Sequence, residues 1–304
     1  MSDLICLGEP LIELNGQADG LYQMGFGGDV SNVAIAAARQ GTRTGMITHV
    51  GADRFGKDLI TLWHREKVET TFVRAIEGQD TGLYFVHHDE DGHHFTYRRR
   101  GSACSRIDSG DIPEQAILGA GMFYTSAIGL AVSGSLRAAT FDAMSLAGKN
   151  NVQVAFDPNL REQLWPLEQA RQVTHEAMTL CDIALPGLDD ARRLTGLHTP
   201  DEIIGFYHSL GARVVALTLG SAGVAVSTGD AIATLPAFKI NAVDATGAGD
   251  CFNGVFLSGL PRGVHPEEAA RTANAGAAVS TTGFGAVAPI PYPDDIQKLK
   301  DQTA

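Results

Sequence analysis

Short apolar or β-branched runs alternate with helical periodicity along most of this chain, and that alternation constrains the fold more than any single motif. Strand-like runs fall at 4–8, 45–50, 122–126, 153–157, 183–186 and 214–219, with helical stretches such as 31–40, 134–146 and 201–210 between them. Strands that are apolar throughout suit a sheet covered on both faces, and intervening helices return the chain so that successive strands run parallel. The expectation is therefore an α/β fold with a central, mostly parallel sheet flanked by helices on both faces. Towards the C-terminus come a hairpin-like pair, 223–227 and 231–237, and two helices, 248–260 and 266–281.

Residues 71–107 break this rhythm, reading as extended segments with turns. The turn DEDG separates TGLYFVHH from HHFTYRRR, which predicts an antiparallel hairpin. A small sheet beside an α/β domain serves either as a lid over a pocket or as a decorative edge, and the hairpin alone does not choose. Neither a linker nor a repeat interrupts the 304 residues, so one domain is expected.

Charge and cysteine usage narrow the function classes. A net charge of −12 disfavours a nucleic-acid partner. No run is apolar enough to span a membrane. Cys6, Cys104, Cys181 and Cys251 lie far apart without a CxxC pair, which argues against a zinc site or disulfide framework and for a reducing, cytoplasmic setting. The first residues, MSDLICLGEP, read as a strand and not as a targeting segment.

Two glycine clusters carry the chemistry. In TGAGD, followed directly by a helical run, Asp250 falls in the first helical turn behind Gly247, Ala248 and Gly249. Unencumbered N–H groups at a helix N-terminus favour an anion, whereas a carboxylate there repels one unless it has chemical work to do. In GFGGDVSNVA, Gly27 and Gly28 precede Asn32 and an alanine-rich helix. That cluster reads either as a glycine turn with Asp29 or Ser31 as N-cap, or as a close backbone approach to a hydroxyl-rich ligand that Asn32 would bind. GxGxxG, GxxxxGK[ST], HExxH and GxSxG are all missing, which leaves a dinucleotide-dependent oxidoreductase as a disfavoured alternative.

Taken together, GGDVSNVA and DATGAGDCF resemble the two signatures of the PfkB-type, ribokinase-like carbohydrate kinases, across essentially the whole chain. Val30 is a minor departure, occupying a position that usually carries Gly, Ala or Pro. The resemblance implies a ribokinase-like domain over 1–304, with lid segments around 10–26 and 71–107. It implies ATP-dependent phosphorylation of a sugar hydroxyl, with Asp250 as general base and the 247–249 backbone as anion hole. On the nucleotide side it implies Thr218, Gly220, Ser221, Gly223 and Asn274. Asp244, with Thr246, would help hold a potassium-like ion. Mg2+ is expected as well, but LPGLDDA places Gly187 and Asp190 where the family often has Asn-x-x-Glu, so no residue is assigned to it. A small-molecule sugar or sugar acid is the expected partner, with a homo-oligomer possible through the lid. A regulator that binds sugar without catalysis is the remaining alternative, against which Asp250 itself argues.

The substrate side draws on Leu11, Gly27, Gly28, Asn32, Tyr84, Tyr97, Arg99 and Arg161. Tyr97 and Arg99, two apart on a strand, face the same side. Arginines converging from lid and core suit a carboxylate. This set resembles the 2-keto-3-deoxygluconate kinases within the family, which would make the product the 6-phosphate. DPN-x-R, which carries Arg161, also occurs in fructokinase-like members, so a fructokinase or other ketose kinase is the alternative.

Overall fold

The runs that are apolar throughout become the buried interior of one sheet in the computed structural model, which describes residues 2–17, 19–89 and 92–303. The order is β13 (Ile232–Leu235), β12 (Val224–Ser227), β11 (Val214–Thr218), β10 (Ile183–Ala184), β9 (Gln153–Asp157), β8 (Met122–Ser126), β1 (Leu4–Leu7), β4 (Thr44–Gly51) and β5 (Val73–Ile76). Neighbours from β11 through β5 pair in parallel, and β12 pairs antiparallel with both β11 and β13. Side chains alternate between two cores: Leu4 and Cys6 join Trp63 and Phe256, whereas Ile5 and Leu7 join Leu136 and Phe156.

A second sheet has the order β3 (Tyr22–Gly27), β2 (Leu11–Gly16), β6 (Leu83–Asp89) and β7 (Gly92–Arg98). Leu11, Tyr84 and Val86 form its small apolar face, with Tyr97 packed against them. The expected hairpin is β6–β7, although the turn residues Glu90 and Asp91 lie outside the described residues. The stretch 71–107 is not one unit, because Val73–Ile76 pairs with β4 at the edge of the main sheet. The run at 183–186 keeps only two paired residues. Leu185 still donates to Phe156, but Pro186 has no N–H to continue the ladder.

Strand β1 lies between β4 and β8, so the chain leaves it first to one side and later to the other. Connections diverge at such a reversal and open a crevice beyond the carboxyl ends of the strands, where ligands of open α/β sheets bind. Two helices, Asp29–Arg39 and Ala248–Gly259, pack across each other beside it. A Cβ on Gly254 would come within 2.5 Å of the Ala36 Cβ and 2.6 Å of the Val33 carbonyl. Only glycine permits that approach, and the approach brings the first turns of both helices together.

Candidate active site

The helix Ala248–Gly259 starts after Gly247, whose φ of 73° is left-handed and whose added Cβ would meet Ala286 at 3.0 Å. Among the described residues, the N–H groups of Gly247, Gly249 and Asp250 have no acceptor, whereas Ala248 donates to the Ala245 carbonyl at 3.1 Å. The expected trio is thus altered: Ala248 already has a partner, and Asp250 adds an open donor. A Cβ built on Gly249 meets nothing within 4 Å, so the space in front of these donors is clear.

Asp250 faces a cavity of about 630 Å³ between the two sheets. Its Oδ2 accepts from Asn32 Nδ2 at 2.8 Å. Burial raises its carboxyl well above the ordinary 3.8 and the charge of Asp29 raises it further, while the Asn32 hydrogen bond and Arg161 act the other way. A carboxylate held at high proton affinity beside open N–H donors can accept a hydroxyl proton while the donors face charge developing on an electrophile.

Of the other predicted residues, Leu11, Gly28, Tyr84, Tyr97, Arg99 and Arg161 also line this cavity. Gly28 has φ 95°, and its added Cβ would come within 2.4 Å of the Glu9 carbonyl. It is the N-cap itself, with no side-chain cap, which corrects the N-cap reading of Asp29 and Ser31. Ser31 instead accepts from the Trp63 indole at 2.9 Å. Gly27 ends β3 against the Tyr84 ring, where a Cβ would fall 2.6 Å from the hydroxyl. Tyr84 donates to Glu13, which occupies its hydroxyl proton.

Arg99 lies one residue beyond β7 and stays beside Tyr97, its guanidinium 5.5 Å from the ring centroid. Its charge is met by Glu9, which also accepts from Ser102 at 2.7 Å. Arg193 is likewise held by Glu162 at 2.6 Å. Arg161 differs: its nearest carboxylate, on Asp190, is 4.0 Å away, and it donates to the Leu160 carbonyl at 2.7 Å.

The residues expected on the nucleotide side do not line this cavity. Thr218 ends β11, Gly220 and Ser221 form a single 3₁₀ turn, and Gly223 packs so tightly on the Leu235 backbone that a Cβ would come within 2.0 Å of its carbonyl. Asn274 donates to the neighbouring Pro236 carbonyl at 2.8 Å. Asp244 accepts from the Thr246 N–H, the Thr246 hydroxyl and the Gly285 N–H at 2.9, 2.6 and 2.9 Å, which staples two loops together.

Residues 1–293 match the pfkB family carbohydrate kinases. The chain belongs to that family. A 2-dehydro-3-deoxygluconokinase of Thermoproteus tenax is 31% identical over 310 residues, covering 98% of this chain and 94% of that protein. A fructokinase of Klebsiella pneumoniae is 31% identical, covering 96% and 97%. A fructokinase of Vibrio cholerae O395, solved with fructose, ADP and calcium ion, superposes with a TM-score of 0.89 at 26% identity, covering 98% and 99%. The ribokinase-like fold and the sugar-kinase reading both hold, which displaces the oxidoreductase alternative.

Sequence reasoning missed two acids of this carbohydrate kinase. Asp29 lines the cavity and accepts from Asn159 Nδ2 at 2.9 Å. Asp157 lies beneath, its carboxyl raised to about 7, chiefly by burial, with the charges of Asp29 and Asp190 adding to the rise and the hydrogen bonds from the Asn159 N–H and Asn253 opposing it. The available signal was an acid and an amide three apart, Asp29/Asn32 and Asp250/Asn253, at the start of two otherwise apolar helices.

Proposed function

We propose that the protein transfers the γ-phosphoryl group of ATP to a hydroxyl of 2-keto-3-deoxygluconate, giving the 6-phosphate. Asp250 takes the hydroxyl proton, and the N–H groups at 247, 249 and 250 face the charge spreading over the phosphoryl oxygens. Gly28, Asn32, Tyr97 and Arg161 hold the sugar acid. Thr218, Gly220, Ser221, Gly223 and Asn274 frame the nucleotide end, where Gly223 and Asn274 act by shaping the loop around Pro236. Among the described residues no three His, Cys, Asp or Glu side chains converge as a metal site. Mg2+ would therefore be held chiefly by phosphates and water, as suits an ion that keeps much of its hydration shell.

One observation carries the choice of a sugar acid. Arg161 alone of the three arginines lining the cavity lacks a close carboxylate partner, so its fork is open to a substrate carboxylate. The fructokinase reading is favoured by a different feature: Glu9, Asp29, Glu162, Asp189, Asp190 and Asp250 give the cavity an acidic surplus better suited to a neutral polyol. Arg161→Lys separates the two, because an ammonium cannot reproduce bidentate geometry. With its side chain 44% exposed, solvent screening keeps the cost low in the range for charged hydrogen bonds. We expect about 1.5 kcal/mol, a Michaelis constant for 2-keto-3-deoxygluconate raised roughly tenfold, with fructose handled alike by both forms. Equal losses on both substrates would transfer the assignment to a ketose kinase.

A monovalent cation beside Asp244 belongs to the same proposal, since the loops that Asp244 staples include Gly247 and Ala286 at the anion hole. Exchanging potassium for tetramethylammonium at constant ionic strength should lower turnover. Identical rates in the two salts would remove the ion.

A further inference from the structure

Three elements each contribute one carboxylate and one amide to a closed ring behind the cleft. From the helix Asp29–Arg39, Asn32 donates to Asp250 at 2.8 Å. From the helix Ala248–Gly259, Asn253 donates to Asp157 at 2.7 Å. From the end of β9, Asn159 donates to Asp29 at 2.9 Å and closes the circuit. Asp157 also accepts from the Asn159 N–H at 2.9 Å, and Asn253 lies 3.4 Å from the Tyr124 hydroxyl. Asp29, Asn32 and Asp250 line the cavity, whereas Asp157 does not. Asn32 is 3% exposed, and its Oδ1 has no partner among the described residues, which leaves a buried acceptor beside Asp250.

Such a ring is more than packing. Asp157 and Asp250 in a shielded pocket cannot ionise independently, because each charge disfavours the other. Each amide N–H offsets part of that repulsion and fixes which lone pair is engaged, while connecting every acid to a different element. Asp250 is faced by Asp29, Asp157 and Arg161, with Tyr84, Tyr124 and Cys251 also sensing its charge. Asp157 is faced by Asp29 and Asp190, with Tyr124 and Tyr207 alongside.

We propose that this ring, and not Asp250 alone, is the proton-accepting unit of the site, with Asp157 a positioning residue that never touches substrate but governs Asp250 through its charge and through Asn253. The proposal rests on the reading of Asp250 as general base. Two interacting carboxyls lose their protons in steps that belong to the pair, so the acid limb of turnover against pH should be broader than a one-proton curve.

Asp157→Asn keeps the size and removes the charge, and Asn253 can turn its oxygen towards the new amide. The acid limb should then sharpen to a one-proton curve and move to lower pH by roughly one unit, since a like charge no longer holds the proton on Asp250. The Michaelis constant for the sugar should stay unchanged. Carboxyl ¹³C NMR of the unmodified protein reads the same coupling without activity and decides alone if the variant does not fold. The Asp250 signal, assigned by its loss in Asp250→Asn, should titrate in two steps. A one-step titration, or an acid limb unmoved in Asp157→Asn, overturns the proposal. One-step NMR behaviour faults the ring itself, whereas two steps with an unmoved limb fault the role of Asp250 as base.

Discussion

Asp250→Asn should lower turnover by about 100-fold or more, the scale of losing a positioned general base. The apparent affinity for nucleotide should change little, because the residues proposed to frame the nucleotide do not line the Asp250 cavity. The same substitution should not destabilise the fold. Burial and the charge of Asp29 raise the Asp250 carboxyl, so the folded protein binds its proton more tightly than the unfolded chain does. Between the unfolded and folded values the native state carries more protons, and stability falls as pH rises through that window. Above its raised folded-state value the ionised Asp250 is therefore a cost, which a neutral amide of equal size removes. A melting temperature equal to or above wild type, together with lost turnover, is the expected result. Near-normal turnover would reject the base assignment, and lost turnover with an equally large fall in melting temperature would show that Asp250 is needed for folding.

Gly249→Val should reduce turnover by about 100-fold or more, as removal of anion-hole donors does, with the fold intact. The cause is obstruction and not backbone strain. Gly249 does not have a left-handed backbone, and its added Cβ meets no protein atom within 4 Å. Valine also tolerates a helical position better than glycine, so melting temperature should hold or rise. Its methyl groups would stand in the clear space before the open N–H groups, where a phosphoryl group must approach. Gly247 is the poorer probe, since its φ of 73° and its contact with Ala286 make any side chain there strained as well as obstructive. If Gly249→Val keeps its activity, the donors at this helix start do not face the reacting group.

The alternation of apolar runs made the parallel sheet legible, because a strand buried on both faces must be apolar at every position. Strands β8 and β9 fall where their runs predict, and the paired helices end within two residues of expectation. Residues 73–76 were not assignable to a sheet, since a four-residue edge strand carries little period and its partner, β4, is distant in sequence. Asp250 in its helical first turn was legible for a local reason: helix starts are set by residues within one turn of each other.

The sequence by itself determined the chemistry available: an acid and open donors at one helix start, an amide at another, and arginines on the hairpin and beyond β9. Which of these groups face one another was decided only by the tertiary structure. Gly254 lets two helices touch closely enough for Asn32 to reach Asp250 across 218 positions, and Glu9 claims Arg99 while Arg161 is left open. Local pattern records what a residue can do over a few neighbours. The partner that sets its charge state arrives through packing between elements that are remote along the chain, and no local pattern encodes that contact.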